Sequence, residues 1–537
     1  VHFARSRLGR AKRPAERLVS GARWLRRRWR IPVAFVALAL LGGSVTAIAG
    51  TASARRPRAP RLAAISPASA ASVPDRPNIV FVLTDDLSTD LVRFMPQVQA
   101  LEAQGMTFDD YFVSDSLCCP SRSSIFTGNF PHDTGVFTNV GTDGGIGAFY
   151  AHGDELNTFN VALQRAGYRT AMMGKYLNGY LQGPEKSPVP STYVPPGWNE
   201  WDVAGWGYPE FNYQLNEDGT LHYFGHRPRD YLTDVLARRG VAFIDRAAAS
   251  SKPFFLELAT FAPHSPYTPA PRDAHDFPGL KAPRPASFDV LPTNPPSWLA
   301  GHPALSANQI RVIDRAYRRR AQSVQAVDDM IGTIEAALAA HGMIGDTYVV
   351  FSSDNGLHTG EYRLMPGKLT AFDTDIRVPL VIAGPGVAAG SATDAMTENI
   401  DLAKTFTAIG GTTLPSDGHS LMGLLRGETP ADWRNAILVE HHGPDPDTNT
   451  ADPDGQTPLS GNPTTYEAMR TERFLYVEYQ DGEREFYDLA NDPDELDNLV
   501  WSLTTSQLTQ LHDELISLEN CHTGPACWAA MHVDPDP

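Results

Sequence analysis

Apolar positions along this chain gather into short runs that stop abruptly at polar residues. Residues 78–84 read NIVFVLT, apolar and rich in β-branched side chains without alternation, and end at Asp85-Asp86. A run of that length and composition is the pattern of a strand buried on both faces of a parallel sheet. The design recurs. Residues 169–173 (RTAMM) lead into Gly174-Lys175, residues 253–260 (PFFLELAT) into Pro263-His264, and residues 347–352 (TYVVFS) into Asp354-Asn355-Gly356. Stretches with helical period lie between them, at 157–166, 230–249 and 316–340. Strands alternating with helices predict an α/β fold, a large and mostly parallel sheet flanked by helices. Ligands of such sheets bind beyond the carboxyl ends of the strands, so the four polar endings are expected to converge on one site.

Past about Pro430 the pattern changes to shorter runs at 436–440, 474–479 and 485–487, beside a polar Pro/Asp/Gly loop at 444–463. This predicts a smaller C-terminal α+β subdomain with an antiparallel sheet, finished by a helix near 506–518 and a cysteine loop. At the other end, an uncharged stretch at 31–54 follows a basic cluster and closes on the small residues Ala52, Ser53 and Ala54. It reads as a secretory signal, or, left uncleaved, as an anchor over 31–50. Residues 55–77, rich in Arg, Pro, Ala and Ser, read as a solvated linker. The expected division is therefore 1–54 signal or anchor, 55–77 linker, 78–430 catalytic domain and 431–537 C-terminal subdomain. Either reading of the N-terminal segment makes the protein exported, secreted or held at the cell surface, with membrane contact only if the segment is retained.

Charge narrows the partners. The formal net charge is −17, yet Arg5 through Arg30 supply eleven basic residues against Glu16 alone, so that segment is +10 and the remainder carries −27. Such an acidic body repels a phosphate backbone, which argues against nucleic acid. An anionic substrate must then be held by a few buried cations or a metal. Of the four cysteines, Cys521 and Cys527 (CHTGPAC) are spaced to close a small disulfide loop, which export permits. Cys118 and Cys119 are adjacent, with no other thiol nearby, too few for structural zinc.

Asp85, Asp86, Asp354 and Asn355 form two oxygen-bearing pairs at two strand ends, a donor set suited to a hard cation, calcium or magnesium. An isolated pair of this kind is more often a helix cap or a turn; two pairs tip the balance. Residues 118–128 (CCPSRSSIFTG) read as a loop turning into a helix, with Pro120 in the first turn and Cys118 beside free backbone N–H groups, where an anion is favoured. This segment resembles the signature of the formylglycine-dependent sulfatases of the alkaline-phosphatase-like superfamily, Cys-x-Pro-Ser-Arg with a trailing Thr-Gly at Thr127-Gly128. The resemblance runs from Asn78 to about Trp528 and looks nearest to the N-acetylglucosamine-6-sulfatase branch, through LCCPSR (117–122), GKYLN (174–178), YLTDVLA (231–237), APHSP (262–266), SDNGLHTG (353–360) and the Cys521 to Cys527 loop.

That resemblance implies an enzyme, a sulfuric ester hydrolase acting on the 6-sulfate of N-acetylglucosamine or a related sulfated glycan such as a glycosaminoglycan. Cys118 is implied to be oxidised to formylglycine by a formylglycine-generating enzyme and to serve as nucleophile and metal ligand. Asp85, Asp86, Asp354 and Asn355 hold one calcium ion; Arg122 stabilises the hydrated aldehyde. Lys175 and Lys368 bind sulfate oxygens, and His264 protonates the departing alcohol. Many sulfatases carry Gly-Lys-x-His, whose histidine regenerates the aldehyde; here that position is Leu177. The regenerating base is thus unassigned: Asn178 positions a water, or His358 or a substrate group takes the proton. The rival readings are an arylsulfatase of broad range, a phosphoesterase or phosphonate hydrolase on the same sheet, and a surface protein that binds sulfated glycans through an unmodified cysteine.

Overall fold

A computed structural model of the chain describes residues 76–183, 187–428, 430–444 and 456–537. The expected signal or anchor, nearly all of the expected linker, and residues 445–455 of the polar loop lie outside the described residues. Among the described residues no helix is long and apolar enough to cross a membrane.

Ten strands form the main sheet: β1 (Asn78–Thr84), β2 (Met106–Phe108), β3 (Arg169–Lys175), β4 (Glu200–Ala204), β5 (Tyr213–Glu217), β6 (Thr220–Phe224), β7 (Phe254–Ala259), β8 (Thr347–Ser353), β9 (Leu380–Ala383) and β10 (Ser391–Thr393). Their order is β10-β2-β9-β8-β1-β7-β3-β4-β5-β6. The central five, from β8 to β4, run parallel, with Val82 of β1 level with Leu258 of β7 on one side and Phe351 of β8 on the other. Alternate residues of β1 feed two cores. Ile79, Phe81 and Leu83 pack with Phe126 and Phe255, while Val80 and Val82 pack with Leu258, Val327 and Ile331. Both faces are covered, which is why these strands read as unbroken apolar runs.

The outer strands depart from the parallel expectation. β9 pairs antiparallel with β8 and with β2, and β4, β5 and β6 form an antiparallel meander. The β5–β6 turn is Asp218-Gly219, both at positive φ (48° and 89°), the two-residue turn whose twist suits a hairpin. Helix α1 (Cys118–Thr127) contributes Ile125 and Phe126 to the first core, and α2 (Leu232–Ala248) and α3 (Ala307–Ala340) build the second. α3 starts nine residues before the expected Ala316. Its first turns are mostly exposed, and its start is set by the reciprocal cap between Ser306 and Gln309.

A separate antiparallel sheet joins β11 (Ala436–His441), β12 (Tyr466–Thr471), β13 (Phe474–Tyr479) and β14 (Arg484–Asp488) in sequence order. β12 is additional to the strands read from sequence, because Glu467 and Arg470 interrupt its apolar pattern. Helix α4 (Thr505–Glu519) buries Leu511, Leu515 and Leu518 in a core with Leu438, Met469 and Tyr476. Cys521 and Cys527 are bonded to each other just beyond it.

Candidate active site

The sheet register brings the strand ends together. Thr84 of β1 lies beside Ser353 of β8, so the next residues, Asp85 and Asp354, are neighbours, and the Asp354 N–H donates to the Thr84 carbonyl. Asp86 turns out of the strand at φ 63°, a left-handed conformation that aspartate tolerates better than most residues. Its N–H donates to Asp354 Oδ1 at 3.1 Å, and its carbonyl accepts from the Arg320 guanidinium.

Helix α1 enters the same space. Leu117 is extended, Pro120 sits in the first turn where no intrahelical N–H is needed, and Gly128 ends the helix at φ 75°. All ten residues of α1 are buried, so its polar side chains must find partners inside the protein. Arg122 Nε donates to Asp354 Oδ2 at 2.8 Å and Nη1 to the Lys175 carbonyl at 3.1 Å, with Asp85 Oδ1 3.9 Å from Nη2. Ser121 bonds the Asp354 carbonyl, and Asn139 accepts the Cys119 N–H.

Cys118 Sγ stands at the centre of the group, 3.2 Å from Asp85 Oδ1 and 2.8 Å from Lys368 Nζ. Lys368 also donates to Asp86 Oδ1 at 2.7 Å, and Lys175, at the end of β3, to Asp85 Oδ2 at 2.7 Å. His264 Nε2 is 3.3 Å from Asp86 Oδ2; its Nδ1 is 2.8 Å from the Ser265 carbonyl and therefore carries a proton. Its ring lies 4.7 Å from that of Tyr208, over which Lys175 also sits. Asn178 donates to the Tyr208 hydroxyl at 3.4 Å.

Burial and charge set the ionisation of the carboxylates. Burial pushes Asp85 up to about 6 against the pull of Lys175, His264 and Arg122. Asp354 is buried as deeply, yet Arg122, Lys175 and Lys368 together draw it down to about 2. Burial also opposes the charge on Arg122, and Asp354 and Asp85 outweigh it, holding the guanidinium firmly protonated. The second thiol, Cys119, is pushed up to about 12 by burial and is inert.

Ligand atoms of Asp85, Asp86, Cys118 and His264 all lie within 4.8 Å of one another, a buried cluster able to hold a metal ion. Asn355 donates through Nδ2 to Asp86 Oδ1 at 2.7 Å, while its Oδ1, also buried, has no hydrogen-bond partner. An orphaned carbonyl oxygen beside carboxylates is the kind of donor a hard cation completes.

His358 is the sequence-derived candidate that stands apart. Its Nδ1 lies 3.0 Å from both Asp375 oxygens and its Nε2 3.0 Å from the Ser460 carbonyl. Both nitrogens face acceptors, so neither offers a lone pair to substrate or proton. Leu177, at the position of the histidine many sulfatases carry, is packed into the apolar core. Sequence reasoning missed Arg320, fully buried against Asp86 and Ser88. Its signal was an arginine inside the apolar stripe of α3, with Ala316, Tyr317, Ala321 and Val324 around it.

Residues 77–412 match the family model Sulfatase, and residues 360–521 match a second, N-sulphoglucosamine sulphohydrolase, C-terminal. The chain is 34% identical over 488 residues to the N-acetylglucosamine-6-sulfatase of Homo sapiens, covering 86% of this chain and 87% of that protein. A solved structure described as holding its substrate D-glucosamine-2-N,6-O-disulfate aligns with TM-score 0.67 at 23% identity, over 82% of this chain and 97% of that one. The phosphonate monoester hydrolase of Agrobacterium radiobacter aligns with TM-score 0.64 at 22% identity, over 82% and 95%. At those identities the two structures establish the shared fold, and the sequence matches establish the rest: the chain belongs to the sulfatase family and is a sulfate ester hydrolase.

Proposed function

We propose that this enzyme removes the 6-sulfate of N-acetylglucosamine, or of a related sulfated glycan, with a formylglycine made from Cys118 as nucleophile and one calcium ion as cofactor. The observation that carries the reading is the setting of Cys118. It lies at the first turn of a wholly buried helix, bonded to a carboxylate and an ammonium, in a Cys-x-Pro-Ser-Arg segment. The Sγ of the unmodified chain stands in for the reacting oxygen. As a hydrated aldehyde, the modified residue offers a hydroxyl to attack sulfur.

Asp85, Asp86, Asp354 and the orphaned Asn355 Oδ1 suit calcium, which when bound would polarise the S–O bonds. Three carboxylates already face three cations here, Arg122, Lys175 and Lys368. A divalent ion therefore leaves the pocket positive, as a sulfate ester requires. Lys175 and Lys368 bind the sulfate oxygens and spread the charge that grows during transfer. His264 gives its proton to the departing sugar oxygen. Arg122 holds Asp354 and Asp85 in place beneath the nucleophile. The sugar reading is supported by the relatives' names and by the aromatic ring of Tyr208 against His264. Export is proposed on the N-terminal sequence pattern, which fits relatives named as extracellular sulfatases.

Three measurements test this. Mass spectrometry of the peptide containing Cys118, after co-expression with a formylglycine-generating enzyme, is expected to find the aldehyde; a thiol in active protein would sink the reading. Assaying N-acetylglucosamine 6-sulfate beside an aryl sulfate and a phosphonate ester is expected to favour the sugar sulfate. Calcium is also expected to raise the unfolding temperature of unmodified protein, and no shift would remove it as the cofactor.

A further inference from the structure

Lys368 depends on a short piece of backbone that belongs to no helix or strand. Residue 369 is a leucine at φ 81°, a conformation a leucine holds only when its surroundings impose it. Every side chain that bonds it is buried. Gly367 and His358 exchange backbone hydrogen bonds at 3.3 and 3.0 Å. The Leu369 carbonyl accepts from the Tyr466 hydroxyl at 3.0 Å, and the Thr370 carbonyl from Ser116 Oγ at 3.0 Å, two residues before Cys118. Thr370 donates its N–H and its hydroxyl to Asp375 Oδ2 at 3.1 and 2.6 Å. Asp375 in turn accepts a hydrogen bond from His358 Nδ1, and His358 Nε2 donates to the Ser460 carbonyl.

We propose that His358 and Asp375 are positioning residues for Lys368: a buried imidazolium–carboxylate strut that fixes the strap at 367–370 and anchors it to residue 460 of the C-terminal region. Two acceptors around one imidazole require both ring nitrogens to be protonated, so the pair is a buried ion pair that neutralises itself. A strut of this kind accounts for a histidine that lies close to the site in sequence yet offers it no lone pair. It also gives the C-terminal region a share in catalysis, since Ser460 and Tyr466 both hold the strap that carries Lys368.

The inference rests on the proposed role of Lys368, and a double-mutant cycle separates the two. Lys368→Ala, Asp375→Asn and the double variant are compared for kcat and KM on a sulfated sugar, each corrected for the fraction of Cys118 converted to aldehyde and for thermal unfolding. Asp375→Asn is expected to lose about a hundredfold in kcat/KM, the cost of misplacing a catalytic group by about an ångström. In the Lys368→Ala background the same change should cost less than about threefold. Equal costs in both backgrounds would overturn the strut. An unimpaired Lys368→Ala would instead overturn the reading of Lys368. Should Asp375→Asn not fold, His358→Asn, which keeps a donor toward Asp375, is expected to retain more activity than His358→Leu. Alcohol released ahead of sulfate in His358 variants alone, and not in Asp375→Asn, would mark His358 as a proton acceptor and defeat the proposal.

Discussion

Among the described residues, two groups of histidine and carboxylate side chains come together closely enough to hold a metal ion. Asp85, Asp86 and His264 gather around Cys118, all buried; His132, Asp133 and His522 gather in a half-exposed place, equally close to one another. Their bonding differs more than their spacing. In the second group His132 Nδ1 lies 2.9 Å from Glu440 Oε1 and Nε2 2.6 Å from the Cys521 carbonyl, and His522 Nδ1 lies 2.7 Å from Asp133 Oδ1. His132 is thus saturated as a cation and ties the residues after α1 to the disulfide turn. Around the first group three carboxylates, Asp354 with Asp85 and Asp86, meet three cations, and an amide oxygen is left over. Proximity of ligand atoms is therefore a weak criterion for a reactive centre. Unspent donors and a charge balance that accepts one more ion pair discriminate better.

The sharpest way to break the contrast is to remove one residue from each group. Cys118→Ala should lower sulfate release by about ten-thousandfold or more, as loss of a nucleophile does, while His132→Gln should leave kcat/KM within about twofold. An active Cys118→Ala enzyme would dissolve the distinction.

His264 sharpens it next. As general acid it matters in proportion to how poor the leaving group is, so His264→Ala should cost about a thousandfold on a sugar sulfate and far less on a nitrophenyl sulfate. Equal losses on both substrates would assign His264 to binding instead.

Arg122 carries a smaller kinetic effect and a larger structural one. Arg122→Ala strips the partner from Asp354 and should cost about a hundredfold in kcat. It should also cost about 3–5 kcal/mol in stability, because a buried carboxylate is left unpaired. Denaturant unfolding of the metal-free protein measures the second term separately. A stability loss no larger than that of an exposed arginine would refute the pairing.

How much of this contrast was legible beforehand depends on what each residue is next to in sequence. The β1, β3, β7 and β8 runs and their polar endings were readable because burial on both faces leaves an unbroken apolar signature, and strand ends of a parallel sheet converge by topology alone. Lys368 had no such signal. Its strap has no periodicity, and only the family resemblance pointed to it. The Asp375 strut was invisible for a related reason: a buried charge is written like an exposed one, and only the fold says which it is. The edge formed by β2, β9 and β10 was hidden because these strands have three or four residues each, too short for period 2 to stand out from 3.6. The Asp218-Gly219 turn was the one edge feature with a sequence signature. His358 shows the opposite failure. Its neighbours in the Ser353 to Gly360 segment made it a candidate for proton transfer, and three-dimensional bonding to Asp375 and Ser460 spends both its nitrogens.

The smallest expected effect concerns the second group and separates stability from catalysis. Burial opposes the charge on His132, but the bonds to Glu440 and the Cys521 carbonyl and the nearby Asp133 overcome it and raise its pKa to about 9. A group whose pKa is higher folded than unfolded contributes its full stabilisation below the unfolded value, about 6.5, and loses it as pH rises through the folded one. The wild-type advantage over His132→Gln should therefore be about 2 kcal/mol near pH 6, after discounting for partial exposure, and should shrink steadily toward pH 10. Unfolding free energies measured across that range give the curve, and sulfate release measured alongside should follow the same pH profile in both. A gap that widened with pH would mean that His132 is held neutral, with a lone pair available, and the second group would then qualify as a metal site after all.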